Sequence, residues 1–346
     1  MQRVSIIGLG LIGSSIGLGL KRWATKDGKR ESVLEVTGFD ISLDVQNYAK
    51  KIKAVDRTEW NMSNAISKAD VLVIATPVTA VRDIFESAAD LGKQGLVITD
   101  TCSTKSDVLK WANELLPDHI HFVGGHPMAG DTRGVEGATV DMFKDATWCV
   151  CPTVNAGDDA VQTVLGLISA VEAEPLFVDP HEHDGYVGGI SHLPFMLSVA
   201  MTHVVSSDSQ WRDMRKLSSS GFKDASRLAA GSPEMYRGIC ATNRENIVRW
   251  LDSTVNELVH MRDLVNTGTD ETLETLEKIF NAARDARAEW ITAERSGGRS
   301  VQDTEGELST MSVGDQVQQM FFGSLFRRKP RTGREDRADA SRTKRR

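Results

Sequence analysis

The stretch Val4-Ser5-Ile6-Ile7-Gly8-Leu9-Gly10-Leu11-Ile12-Gly13-Ser14 opens the chain and decides its fold. A run typical of a strand passes into a run typical of a helix through the pattern G-x-G-x-x-G. Gly8 permits a tight turn, Gly10 lets the backbone approach a pyrophosphate, and Gly13 lets the helix pack close to the sheet. The N-terminus of that helix is suited to hold phosphate groups. The stretch therefore predicts a dinucleotide-binding unit.

The second predicted strand ends in Gly38-Phe39-Asp40. An acidic side chain at this place fits the two ribose hydroxyls of NAD and repels the additional phosphate of NADP. Asp40 lies further from Gly8 than the usual spacing of about 20 residues, so we expect residues 26–32 to be an insertion. A strand-end aspartate can also simply cap a turn, but the position favours a role in binding NAD.

Up to about residue 179 the chain alternates short β-rich runs with longer helical stretches. This alternation predicts an α/β domain, with a Rossmann-type, doubly wound parallel sheet and helices on both faces. The small and polar residues that follow the strands mark the carboxyl edge of the sheet, where such folds bind ligands. The predicted strands are residues 4–7, 35–39, 71–75, 96–99, 121–123, 147–151 and 174–177.

Beyond residue 179 the apolar residues follow a helical period, which predicts helices over residues 181–206, 212–228, 234–266 and 270–295. We therefore expect domains at residues 1–180 and 181–295, the second an all-helical dimerisation domain. One helical stripe is either core or a subunit interface; it consists of Leu193, Leu197, Ala200 and Val204.

Residues 296–346 are predicted to form a disordered, basic tail. The net charge of the chain is −7, yet residues 327–346 hold ten Lys and Arg against three Asp and Glu, so the remainder carries −14. No aromatic residues are interleaved among these basic residues, which argues against nucleic-acid binding.

Several classes of protein are not expected. No uninterrupted apolar run approaches the roughly 20 residues that span a bilayer, and the chain does not open with a signal-peptide pattern, so we expect a cytoplasmic protein without a membrane segment. The four cysteines are too few and too scattered for a disulfide framework. The spacing of His181, His183 and His192 matches no closed zinc site, so no metal is expected.

His126 is the candidate catalytic base, because it lies in the glycine-rich segment 124–130 directly after an apolar run. The pKa of a free histidine is near 6.5, which suits a group that takes a hydroxyl proton while hydride leaves the same carbon. A structural histidine is the alternative, but flanking glycines favour approach of a ligand. Ser103 follows the preceding strand, where it can cap the next helix, hydrogen-bond the substrate hydroxyl or His126, or do both.

Three further groups of residues are candidates for binding. Thr76 and Pro77 follow the predicted strand at residues 71–75 and are expected to border the nicotinamide. His192 lies close to the junction of the two domains and is either structural or substrate-binding. Arg227 can clamp a carboxylate in a forked pair, or it is a surface arginine of a helix.

These motifs together resemble the prephenate and arogenate dehydrogenase family. The resemblance covers roughly residues 1–295 and rests on the order and spacing of many segments, which makes it more specific than the glycine pattern alone. The matching segments are residues 8–14, 75–77, 100–105, 125–130, 183–184, 191–194, 222–229, 232–236 and 243–245.

The resemblance implies NAD-dependent oxidative decarboxylation of prephenate to 4-hydroxyphenylpyruvate in tyrosine biosynthesis, or of arogenate directly to tyrosine. His126 would accept the proton of the ring hydroxyl, Ser103 would support that hydroxyl, Arg227 would hold a substrate carboxylate, and His192 would lie at the substrate end of the cleft. The helical domain would form a homodimer. The implied cofactor-binding residues are Gly8, Gly10, Leu11, Ile12, Gly13, Asp40, Thr76 and Pro77.

The chain departs from the family pattern at three places. Phe195 replaces the second histidine of S-H-L-P-H, residues 131–134 replace T-E-x-S-G, and Tyr236 replaces a tryptophan. These departures leave dehydrogenation expected, but they leave open the choice between prephenate and arogenate and the sensitivity to tyrosine.

Two other functions compete with this interpretation. A β-hydroxyacid dehydrogenase shares the domain order, but it would place a catalytic lysine in the first long helix, where residues 189–195 contain none. A non-catalytic dinucleotide sensor would need no polar cluster beside the nicotinamide, and the combination of His126, Ser103 and Arg227 argues against it.

Overall fold

The computed structural model describes residues 2–25, 34–131 and 133–295. The predicted insertion at residues 26–32 and the predicted tail at 296–346 lie outside the described residues. Eight strands form one sheet: β1 Gln2–Ile7, β2 Leu34–Phe39, β3 Arg57–Thr58, β4 Val71–Ile74, β5 Val97–Asp100, β6 His121–Pro127, β7 Thr147–Pro152 and β8 Glu174–Phe177. Their order across the sheet is β3-β2-β1-β4-β5-β6-β7-β8.

The sheet is parallel except at one pair of strands. β1 is the third strand from one edge, where Val4 pairs with Val36 on one side and with Val71 on the other. β7 runs antiparallel to β6, so the prediction of a wholly parallel sheet was wrong there. Between these strands the structure describes only the short 3-10 helix Val135–Gly137, and a parallel return would need a longer crossover.

Six helices cover the two faces of the sheet, which confirms the doubly wound architecture. Successive residues of a strand point to opposite faces, and along β4 Val71 and Val73 belong to one core while Leu72 and Ile74 belong to the other. The first core includes buried residues of α1 and α6, and the second those of α3, α4 and α5. The six helices are α1 Leu11–Thr25, α2 Leu43–Lys51, α3 Met62–Ser67, α4 Val81–Leu91, α5 Ser106–Leu115 and α6 Asp158–Ala170.

The glycine-rich segment at residues 124–130 is in part a strand, because β6 continues through His126 and Pro127. A Cβ on Gly125 would lie 2.5 Å from the carbonyl oxygen of Asp100 and 2.7 Å from Nε1 of Trp148. The expectation that this glycine removes bulk beside a ligand was therefore wrong, since it removes bulk between neighbouring strands. The consequence is useful for His126, whose backbone is held in the sheet ladder opposite Cys149.

The remainder of the described chain is helical, as predicted. It begins with one continuous helical segment made of α7 Pro180–Val187, the π-helix Gly188–His192 and α8 Leu193–Ser206. The later helices are α9 Trp211–Met214, α10 Ser220–Ala225, α11 Pro233–Thr242, α12 Arg244–Thr267 and α13 Asp270–Arg295.

Two of the predicted long helices are broken. The one expected at 212–228 is interrupted at Ser218 and Ser219, whose backbones are extended, in keeping with the preference of serine for helix ends over helix interiors. The one expected at 234–266 divides at Asn243, which leaves helical geometry with φ −131° and ψ 33°. The side chain of Asn243 makes buried hydrogen bonds to Asp184 and His192, which compensates for the break.

By length and composition alone, the helical segment Pro180–Ser206 is apolar enough to cross a membrane, although polar residues interrupt its apolar runs. Its first half buries the polar side chains of His183, Asp184 and His192. In its second half Leu197, Ala200 and Val204 are exposed. These three residues of the helical stripe therefore do not belong to the core of this chain, which leaves a subunit interface as the interpretation of the stripe.

Candidate active site

The glycine turn between β1 and α1 has the shape that the fingerprint predicted. Gly8 has a φ of +90°, and a Cβ there would lie 2.4 Å from the carbonyl oxygen of Ala75. A Cβ on Gly13 would lie 1.9 Å from the carbonyl oxygen of Gly8, so the helix can approach the turn only because residue 13 is glycine. A Cβ on Gly10, by contrast, would meet open space. Packing thus explains Gly8 and Gly13, and Gly10 leaves room beside the N-terminus of α1, where Leu11 and Ile12 are half-buried.

Asp40 follows β2 and lies against this turn. One carboxylate oxygen accepts a hydrogen bond from the backbone N–H of Leu9 at 2.8 Å, and the other accepts one from the N–H of Ser42 at 2.9 Å. Asp40 therefore does cap local backbone groups, as the alternative interpretation proposed. Each carboxylate oxygen has a further lone pair, so the same position also fits a ribose diol.

Thr76 and Pro77 lie beyond the end of β4. Pro77 precedes the 3-10 helix Val78–Ala80. The hydroxyl oxygen of Thr76 is buried and has no hydrogen-bond partner among the described residues. A buried hydroxyl without a partner is unfavourable, and a polar group of a bound ligand would relieve it. The open space at Gly10, the carboxylate of Asp40 and this hydroxyl fit a dinucleotide along the carboxyl edge.

His126 is the buried end of a chain of hydrogen bonds between side chains. Its Nδ1 lies 2.9 Å from Nε2 of His183, and Nδ1 of His183 lies 2.8 Å from Oδ1 of Asp184. All three side chains are buried. The sequence pointed to the His183-Asp184 pair only through the family resemblance, and no periodicity or spacing placed it beside His126, which is 57 positions away from His183.

Asp184 also caps a helix that belongs to the sheet. Its Oδ1 accepts a hydrogen bond from the N–H of Lys105 and its Oδ2 one from the N–H of Ser106, both at 2.8 Å, at the start of α5. Burial alone would raise the pKa of Asp184, but hydrogen bonds from His183, Ser106 and Lys105 lower it below its ordinary value. Of the roles left open for Ser103, capping of this helix is not the one observed, because the carboxylate from α7 occupies that place.

A buried ion pair lies near His126, close enough for its lysine to act on the charge of the ring. The Nζ of Lys105 contacts Oδ2 of Asp100, and both side chains are fully buried. Asp100 also accepts hydrogen bonds at 2.9 Å from the N–H groups of Gly125 and Cys102. Neither charged residue was among the predicted site residues, since a Lys and an Asp beside a strand are usually exposed.

His126 and His192 are both held in the neutral form. Burial lowers the pKa of His126 well below its ordinary value of 6.5, and the neighbouring His183, Lys105 and His192 lower it further. Burial likewise lowers the pKa of His192 to about 4, although the charge of Asp184 opposes that shift. At neutral pH, His126 therefore carries a lone pair that can accept a proton.

His192 is fully buried near this chain of hydrogen bonds. Its Nδ1 accepts from the side-chain amide of Asn243 at 3.0 Å, and the same amide donates to the carbonyl of Asp184 at 2.7 Å. Its Nε2 has no partner of hydrogen-bond geometry among the described residues, although the backbone of Ser103 is near enough to favour the charged ring. A ring that accepts at Nδ1 carries its proton at Nε2, where it can donate to a ligand.

Ser103 and Arg227 are placed differently. Ser103 follows β5, is half-buried and lies with its backbone near His192. Arg227 begins the 3-10 helix Arg227–Ala230 and is exposed. The described contacts bring Arg227 near Tyr236, where its charge partly offsets the rise that burial causes in the pKa of the phenol, and not into the hydrogen bonds around His126.

Two departures from the family pattern contact each other. The rings of Phe195 and Tyr236 stack with centroids 4.0 Å apart and planes at 4°. The phenol of Tyr236 donates to the carbonyl of Leu228 at 2.6 Å, next to Arg227. Phe195 also lies beside the ring of His192, at 6.1 Å between centroids. An apolar stack thus stands where the family pattern has a histidine and a tryptophan.

No group of three or more His, Cys, Asp or Glu side chains suited to a metal ion occurs within residues 2–25, 34–131 and 133–295. The histidines considered for zinc are used in hydrogen bonds instead. His181 lies 3.3 Å from the hydroxyl of Ser106. His183 contacts His126, and His192 contacts Asn243. All four cysteines are free thiols.

Family models and individual relatives all match this chain to prephenate dehydrogenases. The model of the nucleotide-binding domain of prephenate dehydrogenase matches residues 24–176, and that of its dimerization domain matches residues 179–281. A prephenate dehydrogenase of Bacillus subtilis is 32% identical over 287 residues, covering 82% of this chain and 75% of that protein. One of Lactococcus lactis subsp. cremoris is 30% identical over 293 residues, covering 83% and 77%.

A solved structure agrees with these matches. Prephenate dehydrogenase from A. aeolicus, in complex with hydroxyphenyl propionate and NAD+, has a TM-score of 0.75 and 25% identity, and the match covers 84% of this chain and 98% of that one. The match to the nucleotide-binding domain model begins at residue 24, beyond the glycine turn. The assignment of the glycine turn to the cofactor site therefore rests on the geometry of the turn and not on this match.

Gly10→Ala tests whether the open space at the turn receives a cofactor. The added methyl group meets no atom of the protein, so the melting temperature should stay unchanged while the Kd for NAD rises about tenfold or more, or about 1.4 kcal/mol. Calorimetric titration with NAD and a thermal melt give both values. Gly13→Ala is the matched control, and it should lower the melting temperature. Unchanged NAD affinity in Gly10→Ala would remove the turn from the cofactor site.

Proposed function

This chain belongs to the prephenate dehydrogenase family, and we propose that it oxidises prephenate with NAD, releasing CO2 and 4-hydroxyphenylpyruvate in tyrosine biosynthesis. The observation that carries the proposal is His126, a buried and neutral histidine at the carboxyl edge of a dinucleotide-binding sheet. We assign cofactor binding to residues 1–180 and substrate binding and dimerisation to residues 181–295.

The cofactor is NAD, held at the turn of Gly8, Gly10 and Gly13 with Leu11, Ile12, Asp40, Thr76 and Pro77 around it. Bound NAD+ would take the hydride from C4 of the substrate ring. The carboxylate of Asp40 supports NAD over NADP, because an acidic group repels an additional phosphate. The buried hydroxyl of Thr76 gains a partner when a cofactor is bound.

His126 acts as the general base. Its ring accepts the proton of the C4 hydroxyl while the C4–H bond breaks, and the C4–O bond becomes a carbonyl. The bond between the ring and its carboxylate then breaks, CO2 leaves, and its electron pair completes the aromatic ring, whose oxygen takes back the proton. Since aromatisation provides the driving force, the protein needs mainly to orient the ring and accept the proton.

Ser103, His192 and Arg227 hold the substrate in this proposal. Ser103 supports the C4 hydroxyl, and the Nε2–H of His192 donates to the substrate end of the cleft. Arg227 binds a carboxylate, a role that its exposed position on a 3-10 helix leaves open. The stack of Phe195 and Tyr236 gives the pocket an apolar wall beside His192.

The assembly that we propose is a cytoplasmic homodimer formed through the helical part. The match to a dimerization domain supports this, as does the amount of apolar surface that the helices leave exposed. Large apolar side chains exposed in number on one part of a protein favour an interaction site there. The exposed residues include Ile190, Leu197 and Val204 of Pro180–Ser206, Val255 and Leu258 of α12, and Phe280 and Trp290 of α13.

The first test is reduction of NAD by the purified protein. Prephenate should produce NADH absorbance, arogenate should produce less, and NADP should replace NAD poorly. Faster turnover of arogenate would assign the chain to the arogenate branch of the family. If neither acid reduces the cofactor, the proposal fails, and 3-hydroxy acids are the next substrates to try.

His126→Asn should lower kcat by about 10² to 10⁴, the usual contribution of a general base, with the Kd for NAD unchanged. The pKa of His126 lies well below 6.5 in the folded protein, so the base form persists on the acid side and wild-type kcat/KM should stay level until the pH falls well below 6.5. Stopped assays over a pH series measure both. His119→Asn serves as the control, and an unchanged rate in His126→Asn would remove this histidine from the mechanism.

Val204→Glu should dissociate the dimer, because a charge on an exposed apolar stripe cannot be buried against a second copy without a partner. Sedimentation or light scattering should give twice the chain mass for the wild type and a shift toward the monomer for the variant. Val154 is 98% exposed in the loop before α6, so Val154→Glu should leave the mass unchanged. A wild-type monomer would refute the assembly.

A further inference from the structure

The chain His126–His183–Asp184 crosses from the sheet to the helical part through two hydrogen bonds. They measure 2.9 Å between the two histidines and 2.8 Å between His183 and Asp184. The rings of the histidines meet edge to face, with centroids 5.1 Å apart and planes at 70°. Nδ1 of His126 and both ring nitrogens of His183 thus each meet one defined neighbour.

Asp184 is a fixed end of that chain. Its two carboxylate oxygens accept from the N–H groups of Lys105 and Ser106, and its carbonyl accepts from the amide of Asn243. These three bonds come from α5 and from the break before α12, so the carboxylate cannot turn without leaving buried donors unpaired. Its lowered pKa means that it is ionised, and an ionised carboxylate only accepts hydrogen bonds.

The proton positions along the chain follow from this end. Because Oδ1 of Asp184 can only accept, Nδ1 of His183 carries the proton. When the ring of His183 carries this one proton, its Nε2 is an acceptor and Nδ1 of His126 donates to it. A neutral ring with its proton on Nδ1 has its lone pair on Nε2. The hydrogen bonds therefore select one tautomer of His126.

We infer that His183 and Asp184 are positioning residues, which hold His126 as the Nδ1–H tautomer so that its Nε2 receives the substrate proton. The inference rests on the proposed function of His126 as the base. It assigns to the two residues a role that helix capping alone does not require, because capping of α5 uses Asp184 and leaves His183 without a function.

Charge supports the same assignment. His183, Lys105 just before α5 and His192 of the π-helix all disfavour the protonated form of His126, and Asp100 of β5 is already paired with Lys105. Of the groups around His126, Asp184 is the carboxylate connected to it by hydrogen bonds, through His183. Once His126 has accepted a proton, its Nδ1–H remains the donor to His183, and hydrogen bonds from charged groups are the stronger ones.

Two substitutions of His183 separate the halves of the chain. The amide of Asn lies near the place of Nδ1, so His183→Asn can keep the bond to Asp184 but removes the acceptor for His126. The carbonyl oxygen of Gln reaches the place of Nε2, so His183→Gln keeps an acceptor for His126. Asp184→Asn removes the ionised end. His181→Asn, two residues away and exposed, is the matched control.

We expect His183→Asn and Asp184→Asn to lower kcat by about 10² to 10⁴, as when a carboxylate that fixes a histidine tautomer is lost, with KM and the Kd for NAD changed less than threefold. His183→Gln should recover at least a tenth of wild-type kcat, and the control should equal wild type. Equal losses in His183→Asn and His183→Gln would indicate a merely structural role and overturn the inference, as would a kcat in His183→Asn within threefold of wild type.

Nitrogen NMR of labelled histidine in the free protein tests the inference without any substrate. Wild-type His126 should show a protonated Nδ1 and an unprotonated Nε2, and His183→Gln should keep this pattern. In His183→Asn the two tautomers should mix. If wild-type His126 carries its proton on Nε2, the inference is wrong even where the enzyme is active. If the protein oxidises neither acid, this spectrum alone decides about the tautomer.

Discussion

The carboxylate of Asp184 is the contact on which the arrangement of the site depends. A helix begins with N–H groups that have no partner within the helix, and at α5 these groups are buried by α7. A carboxylate satisfies two of them and complements the positive end of the helix dipole. The same carboxylate fixes His183, so the cap that joins the helical part to the sheet also places a histidine against His126.

A second constraint holds the sheet side of the site. Burial of the Asp100–Lys105 pair is unfavourable unless every remaining polar contact is made, and Asp100 meets this condition by accepting from the N–H groups of Gly125 and Cys102. Gly125 belongs to β6 and directly precedes His126. The pair therefore ties the end of β5 and the start of α5 to the residue beside the base, so His126 is fixed from both parts of the molecule.

Local patterns were sufficient to predict the glycine turn, most strands, the two-faced sheet and the helical second part, because each depends on residues close together in sequence. The prediction that His126 follows the strand was wrong, because β6 continues through His126 and Pro127. The role of Asp184 as cap in place of Ser103, and the helix break at Asn243, depend on contacts between residues 51 to 79 positions apart. No periodicity records such contacts. For Arg227 the sequence motif predicted a place in the site, but the structure shows an exposed residue outside the hydrogen bonds around His126.

A base in this site must be neutral before the reaction and must tolerate a charge after it. Burial and the neighbouring His183, Lys105 and His192 all act against protonation of His126, which keeps its lone pair available but would also make it a poor acceptor. The carboxylate of Asp184 does not contact His126 directly, because His183 lies between them. The intervening ring leaves the resting base neutral and still connects it to a carboxylate, so the two requirements are met by different neighbours rather than by one compromise.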